Sequence, residues 1–244
     1  MCSIVDSSFM EDTEHTDSAI TKTICQKCKI EKPFITLRKK DVYCKECFLT
    51  NCNHKFRSTL GKNKAIKIND KILIAFNGSH GSLALLKLVR NSFQDENNPK
   101  KISYLPHVLI IDETGILNFQ LDQVNSIAEK FDFPVYCVHL SKVLDMSGDK
   151  KIIGDENDSP TNDDLLHINK LLNETSDESA KMSMLKILRM KLVLKAAKDI
   201  GCTKVFTGEN ATSLAVTLLS GKSNFKLAYV ANRLKIKDIN IAMM

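Results

Sequence analysis

The sequence predicts an α/β fold in which a doubly wound, mostly parallel sheet follows a small module that contains four cysteines. Three observations lead to this prediction. Two closely spaced cysteine pairs lie near the N-terminus, and short apolar runs then alternate with stretches of helical periodicity. A loop of small residues joins the first apolar run to the first amphipathic stretch, as in the βα units of parallel sheets.

The length and composition of the chain are those of a small two-part protein. Its 244 residues suffice for one α/β domain and a smaller module, and a hydrophobic content of 43% supplies a core. No apolar stretch approaches the ~18–20 residues that span a membrane. Residues 1–21 carry five acidic residues, no Lys or Arg and no apolar segment. We therefore expect a disordered acidic leader, a soluble cytoplasmic protein and no membrane partner.

The basic residues are concentrated in one part of the chain. Residues 22–71 contain fourteen Lys or Arg and four Asp or Glu, whereas the net charge of the whole chain is +6. A local excess of this kind is typical of a protein that binds a polyanion, and the alternative is a well-solvated small module. We expect a module with its basic segment over residues 22–66 and an α/β domain over residues 67–244.

The four cysteines of the module have the spacing of metal ligands. Cys25 and Cys28 form one C-x-x-C pair, Cys44 and Cys47 form another, and fifteen residues separate the pairs. Two such pairs close a tetrahedron around zinc, so we predict a zinc-ribbon-like site with a strand at residues 34–37. An iron–sulfur cluster on the same thiolates is the alternative. A site closed by four thiolates stabilises folding and has no open position for catalysis.

A basic segment follows the second cysteine pair. Its four cations are Lys55, Arg57, Lys62 and Lys64. Phe56 and Leu60 lie four residues apart among them, so a short helix would bury both and turn the cations outward. This pattern predicts contacts with the phosphate backbone of a nucleic acid, and an ordinary solvated charged surface is the alternative.

The small-residue loop after residues 72–76 is a candidate nucleotide site. The apolar run of residues 72–76 predicts a buried strand, and Ser82 is a suitable N-cap for the helix that follows. The candidate binding residues are Asn77, Gly78, Ser79, Gly81 and Ser82. Such a loop directs backbone N–H groups at a phosphate, although neither of the two best-known phosphate fingerprints is present. An ordinary βα turn is the alternative.

The rest of the chain repeats the alternation of strand and helix. Further strands are predicted at residues 108–111, 135–138 and 203–207, and a long amphipathic helix at residues 179–201. Ligands of doubly wound sheets bind at the carboxyl ends of the strands. We therefore expect the loops at residues 77–82 and 208–213 to face one crevice.

Several of these stretches together resemble the cytoplasmic tRNA 2-thiolation protein 2 family. They are residues 43–48, the His54-Lys-Phe-Arg57 segment with Leu60-Gly-Lys62, residues 72–89 and the turn at 208–215. The resemblance implies a PP-loop, HUP-like fold related to ATP pyrophosphatases. It also implies a subunit that 2-thiolates wobble uridine (U34) of cytosolic tRNAs with a catalytic paralogue and a ubiquitin-like sulfur donor.

The sequence departs from the active relatives at the residues that perform their chemistry. Their loop carries an Asp and their later motif an acidic pair, where this chain has Thr212 and Ser213, so no hard anions remain for a magnesium–nucleotide. They also use a cysteine ahead of the long helix, and residues 181–184 contain none. Cys137 and Cys202 are expected to be buried small hydrophobes. The resemblance therefore implies a non-catalytic heterodimer partner with no catalytic residue and no firm ATP site.

Two other functions are compatible with the same residues. One is an ATP pyrophosphatase that adenylates RNA through Ser79, Gly81 and Ser82. The other is a zinc-ribbon interaction scaffold without a role in RNA. Residues 238–244 resemble the start of a segment that the family continues, so we expect a fragment or a short form.

Overall fold

The structure, a computed structural model, describes residues 23–38, 40–62, 66–93, 103–144, 151–153, 160–175, 177–216 and 240–243. The predicted acidic leader at residues 1–21 and the candidate cation Lys64 lie outside the described residues. The chain divides into two compact units, Met1–Cys52 and Asn53–Met244.

The first unit contains a short hairpin and the beginning of a helix. Strand β1 (Ile35–Leu37) pairs antiparallel with β2 (Asp41–Tyr43), as expected from the strand predicted at residues 34–37. Arg38 has a positive φ of 51° in the turn between them. Helix α1 (Lys45–Lys62) follows directly after β2, and its second half belongs to the second unit.

The second unit contains a parallel sheet of five strands. They are β3 (Asp70–Phe76), β4 (Tyr104–Asp112), β5 (Val135–His139), β6 (Lys204–Thr207) and β7 (Asn240–Met243). Their order is β5-β4-β3-β6-β7, and every neighbouring pair is parallel. The chain leaves β3 towards β4 on one side and later returns to β6 on the other, which confirms the predicted doubly wound α/β fold.

Helices cover both faces of this sheet. They are α2 (His80–Phe93), α3 (Leu121–Glu129), α4 (Asn162–Asn173), α5 (Glu178–Ile200) and a short 3-10 helix (Leu140–Val143). Helices α2 and α3 pack on one face with the second half of α1, and α4, α5 and the 3-10 helix pack on the other. Phe56 and Leu60 are buried in the first of these layers, as predicted. Their burial explains why the boundary between the units lies at Cys52 rather than at residue 66.

The strands alternate their side chains between the two layers. In β3, Ile72 and Ile74 belong to the layer of α2 and α3, whereas Leu73 belongs to the layer of α5. All three are fully buried, because helices exclude water from both faces of a parallel sheet. This is why the strand has an unbroken apolar run instead of alternating polar and apolar residues.

The end residues of helices α5 and α4 explain their limits. Asp177 accepts hydrogen bonds from the backbone N–H groups of Ser179 and Ala180, and Gly201 ends α5 with a φ of 78°. The predicted helix at residues 179–201 is therefore confirmed to within about one residue. Helix α4 was not predicted from the sequence, and it begins with a capping box between Thr161 and Asp164. Within the described residues, no helix combines the length and apolar character needed to cross a membrane.

Candidate functional site

The four cysteines of the first unit converge on one point. The Sγ atoms of Cys25, Cys28, Cys44 and Cys47 all lie within 4.8 Å of one another. The Sγ atoms of Cys28 and Cys44 lie 3.9 Å apart. Cys25 and Cys44 are buried and the other two thiols are half-buried, so the cluster is largely shielded from water.

Backbone hydrogen bonds hold both cysteine pairs in place. In the first pair, the N–H of Cys25 donates to the carbonyl of Glu31 at 2.8 Å, and the N–H of Lys29 donates to the carbonyl of Cys25 at 2.9 Å. In the second pair, the N–H of Cys47 donates to the Sγ of Cys44 at 3.5 Å. These bonds form between residues of the first unit, so this unit holds the four sulfurs together.

The thiols influence one another's protonation. Burial alone raises the pKa of Cys25, but hydrogen bonds from the backbone of Cys28, Cys44 and Lys27 outweigh it and lower the pKa to about 6. A backbone hydrogen bond from Cys47 lowers the pKa of Cys44, but burial and the adjacent thiols raise it to about 12. Four thiolates would repel one another at this distance, and a cation at their centre would hold all four deprotonated.

The spacing of the sulfurs fits a single tetrahedral ion. With metal–sulfur bonds of about 2.3 Å, the sulfurs of a tetrahedral zinc site lie about 3.8 Å apart. The observed separations reach at most 4.8 Å. Within the described ranges, this is the one group of three or more His, Cys, Asp or Glu side chains that converges in this way. The residues present therefore fit a metal ion with a full set of protein ligands.

The two loops that the sequence assigns to one crevice contact each other through their backbones. They follow β3 and β6, which are neighbours at the point where the sheet changes its winding direction. A Cβ atom on Gly81 would lie 2.2 Å from the carbonyl oxygen of Gly208, and one on Gly208 would lie 2.3 Å from the N atom of Ser82. Both positions therefore require glycine.

Within the first loop, the polar side chains hydrogen-bond to one another. The hydroxyl of Ser82 donates to Oδ1 of Asn77 at 2.9 Å, and Oγ of Ser79 accepts from the backbone N–H of Ser82 at 3.3 Å. Gly78 has a φ of 75°, which permits the turn between them. Helix α2 begins at His80, so the prediction that Ser82 caps it is wrong. Ser79 is the cap, and Ser82 is buried in the first turn.

Two ion pairs join helix α5 to the carboxyl ends of the strands. Arg189 forms a bidentate pair with Glu113, which follows β4 and whose side chain is only 10% exposed. Lys186 pairs with Glu209 at 2.8 Å. Neither ion pair is predicted from the sequence. The signal for Glu113 is that it forms, with Asp112, a pair of acidic residues directly after the apolar run of β4.

A cavity and an unpaired hydroxyl lie at the same edge of the sheet. The cavity measures about 560 Å³ and opens beside the end of β4, with Asp112, Thr114 and Asp122 among its lining residues. The buried Oγ1 of Thr207, the last residue of β6, has no hydrogen-bond partner in the structure. These features favour a remaining capacity to hold a polar ligand.

Three of the four predicted RNA-binding cations lie on α1, and Lys64 lies outside the described residues. Lys55 and Lys62 are exposed, whereas Arg57 is half-buried and makes a contact of its own. The same helix buries Phe56 and Leu60. The outward position expected from the spacing is therefore found for Lys55 and Lys62, and their role in binding RNA stays a prediction.

Cys137 and Cys202 are poor candidates for sulfur transfer. Cys202 is buried as expected, but Cys137 is exposed because β5 is an edge strand of the sheet. Partial desolvation and the Asp112 carboxylate raise the pKa of Cys137 to about 11, so its thiol stays protonated at neutral pH. Residues 181–184, where active relatives were expected to carry a cysteine ahead of the long helix, lie inside α5.

Comparisons with known proteins find relatives that share the name cytoplasmic tRNA 2-thiolation protein 2. No family model matches the sequence. The chain is 29% identical to cytoplasmic tRNA 2-thiolation protein 2 of Xenopus tropicalis, over 88% of this chain and 52% of the relative. The human protein of that name is 24% identical, over 85% of this chain and 51% of the relative. These matches confirm the resemblance seen in the motifs, and the chain spans about half the length of these relatives.

One solved structure shows the same architecture. The U34-tRNA thiolase NcsA from Methanococcus maripaludis, solved with its 4Fe–4S cluster, matches 91% of this chain and 67% of its own with a TM-score of 0.64. The sequence identity is 23%, so this likeness concerns the fold. It confirms the predicted α/β fold, which this chain shares with that structure.

Proposed function

We propose that this chain is a non-catalytic subunit of the cytoplasmic complex that 2-thiolates wobble uridine (U34) of tRNA. In this proposal it binds tRNA and forms a heterodimer with a catalytic paralogue, which receives sulfur from a ubiquitin-like carrier. The relatives named for tRNA 2-thiolation and the thiolase fold support the pathway. The contacts of the chain itself support the division of roles.

The observation that carries the proposal is the contrast between the loop after β3 and helix α1. In the loop, Asn77, Ser79 and Ser82 hydrogen-bond to one another, and the nearby carboxylate of Glu209 is paired with Lys186. In the chain alone, these groups therefore bond to one another rather than presenting a set of free carboxylates for a magnesium–nucleotide. On α1, by contrast, exposed cations remain available for phosphate.

Replacement of the four cations on and after α1 tests tRNA binding. The purified complex carries Ser in place of Lys55, Arg57, Lys62 and Lys64, and its affinity for tRNA is measured over a range of salt concentrations. Each lost phosphate contact reduces the slope of log K against log salt by about 0.7–0.9. We expect weaker binding and a slope that is smaller by about 3.

A second variant controls for the change in net charge. It carries Ser in place of four lysines that are exposed elsewhere: Lys151, Lys170, Lys191 and Lys198. Because both variants lose four positive charges, a nonspecific effect would weaken tRNA binding equally in both. Equal binding by the α1 variant and the wild type would contradict the proposal.

We further propose that the four cysteines hold zinc with a structural role. The closeness of the sulfurs supports this choice, because an iron–sulfur cluster must place several iron and sulfide atoms between its thiolates. When bound, the ion would fix the two cysteine pairs to each other. Elemental analysis should find one zinc per chain in a colourless protein, and stoichiometric iron with visible absorbance would contradict zinc.

The unpaired hydroxyl of Thr207, directly before the glycine that contacts Gly81, favours a second candidate function. This is ATP-dependent adenylation of tRNA by the chain itself, through Ser79, Gly81 and Ser82. Pyrophosphate release by the isolated chain, given ATP and tRNA, distinguishes the two functions. Turnover well above a control without tRNA would establish the enzyme, and we expect none.

A further inference from the structure

The first unit exposes large apolar side chains between its two cysteine pairs. Phe34 is 70% exposed and Ile30 is 83% exposed. Single exposed aliphatic residues are common on protein surfaces, but a phenyl ring left mostly in water forgoes a large part of its burial energy. The exposure of Phe34 therefore favours a partner that covers its ring with an apolar surface.

The backbone of Phe34 is fixed although its ring is exposed. Its N–H donates to the carbonyl of Tyr43 at 2.8 Å, which extends the hairpin by one residue beyond β1. Pro33 restricts the chain before it. Exposure alternates along the strand, so that Phe34 and Thr36 lie in solvent while Ile35 is half-buried. The ring is thus held out to solvent by a rigid hairpin.

The net charge of the segment that carries this ring favours a polyanion. Residues 25–47 contain seven Lys or Arg and three Asp or Glu. Lys32 and Arg38, at either side of the hairpin strand, are both exposed. An exposed aromatic ring among cations is the arrangement by which proteins bind single-stranded nucleic acids, since the ring stacks on a base and the cations contact phosphates.

We infer that Phe34 stacks on an unpaired base of the bound RNA, with Lys32 and Arg38 at the adjacent phosphates. This inference rests on the proposed tRNA-binding function and adds a contact that α1 does not make. The cations of α1 can contact the phosphates of any RNA. The Phe34 ring, by contrast, can stack only on a base that is unpaired and not stacked between its neighbours. Phe34 would therefore distinguish single-stranded RNA from duplex RNA.

The sequence offers a direct reporter for this contact. The chain contains no Trp, so Phe34→Trp places a single indole at the site. The full chain with this substitution is titrated with short single-stranded oligouridylate and, separately, with an RNA duplex of the same length. We expect oligouridylate to quench the Trp emission and the duplex to leave it nearly unchanged. Unchanged emission with oligouridylate would overturn the inference.

Affinity measurements on a second pair of variants extend the test. Stacking on one base is lost in Phe34→Ala, which should weaken oligouridylate binding about 5- to 100-fold and leave its salt slope unchanged. Leu49→Ala is the matched control, because Leu49 is a 51% exposed apolar residue of the same unit. Equal binding by the two variants would overturn the inference, as would an emission change that appears only with a protein subunit.

The two proposals fail in different ways. If the proposed function is wrong, replacing the cations of α1 does not change how the tRNA affinity of the complex depends on salt. If only the stacking inference is wrong, that salt dependence remains and the Trp emission at position 34 does not respond. Metal content measured on each variant shows that the first unit is folded.

Discussion

The cysteine cluster and the loops at the sheet edge are both candidate sites, but their polar atoms are used in opposite ways. The four sulfurs of the cluster converge on one another and fit a metal ion between them. At the sheet edge, Ser79, Ser82 and Asn77 hydrogen-bond among themselves, and the two loops touch through Gly81 and Gly208. The sulfurs are thus arranged around a position for an ion, whereas the three loop side chains bond to one another and the buried hydroxyl of Thr207 beside them has no partner among the described residues.

The two sites therefore differ in what keeps them ordered. The contact between the loops supports the packing of β3 against β6, and it needs only backbone and small side chains. The cysteine cluster, by contrast, needs all four of its sulfurs to fit a tetrahedral metal ion.

The largest expected effect comes from removing a sulfur. Cys25→Ser should reduce bound metal from one equivalent to near zero, because serine is a poor ligand for zinc at neutral pH. The first unit has a small core and should lose its structure with the metal. Elemental analysis and limited proteolysis measure the two losses. Cys52→Ser is the control, since this thiol on α1 lies outside the cluster, and it should retain the metal.

The second effect tests the contact between the loops. Gly81→Ala places a methyl group on the carbonyl of Gly208, and we expect a loss of about 3 kcal/mol in the free energy of unfolding. Gly201→Ala has open space around it and should cost about 1 kcal/mol through its positive φ alone. The free energies of unfolding of the two variants are measured by urea unfolding and compared with that of the wild type. An equal loss in both variants would mean that the loops do not depend on each other.

The third effect concerns the ion pair behind the sheet edge. Arg189→Met leaves the buried carboxylate of Glu113 without its partner and should cost about 2 kcal/mol, because Arg189 itself is one-third exposed. A double-mutant cycle with Glu113→Gln measures the coupling by urea unfolding. Additive losses would show that the pair does not stabilise this edge.

The smallest effect distinguishes a structural loop from a binding loop. Ser79→Ala removes the cap of α2 and should cost about 1 kcal/mol in the free energy of unfolding, with tRNA affinity unchanged. Both quantities are measured on the same preparation, the second within the purified complex. A large loss of tRNA affinity without a loss of stability would assign the loop a binding role and remove the contrast with the cysteine cluster.

The features that the sequence predicted are those encoded by neighbouring residues. The cysteine pairs bring their sulfurs together by local spacing, and Phe56 and Leu60 share a helix face because they are four residues apart. The apolar run of β3 likewise indicates a strand buried on both faces. The longest of these patterns, the four cysteines, lies within the 23 residues from Cys25 to Cys47.

The features that were missed depend on residues far apart in the chain. The ion pair between Glu113 and Arg189 joins the end of β4 to helix α5. The residues around each of them contain no pattern that indicates its partner. The exposure of Cys137 follows from the place of β5 at the edge of the sheet, which the order of strands in the sequence does not give. The start of α2 could not be predicted, because Ser79 and Ser82 are equally good caps on residue type alone.

The contact of Gly81 with Gly208 has a consequence for synthesis on the ribosome. The second glycine follows β6, so β3 has only β4 beside it until the residues up to Gly208 have left the exit tunnel. Closing such a distant pair requires the intervening chain to be ordered first, which is slow compared with the formation of helices. The central strand is thus the first strand of the parallel sheet to be made and among the last to be enclosed, and a stalled nascent chain would expose its unpaired edge to chaperones or to other chains.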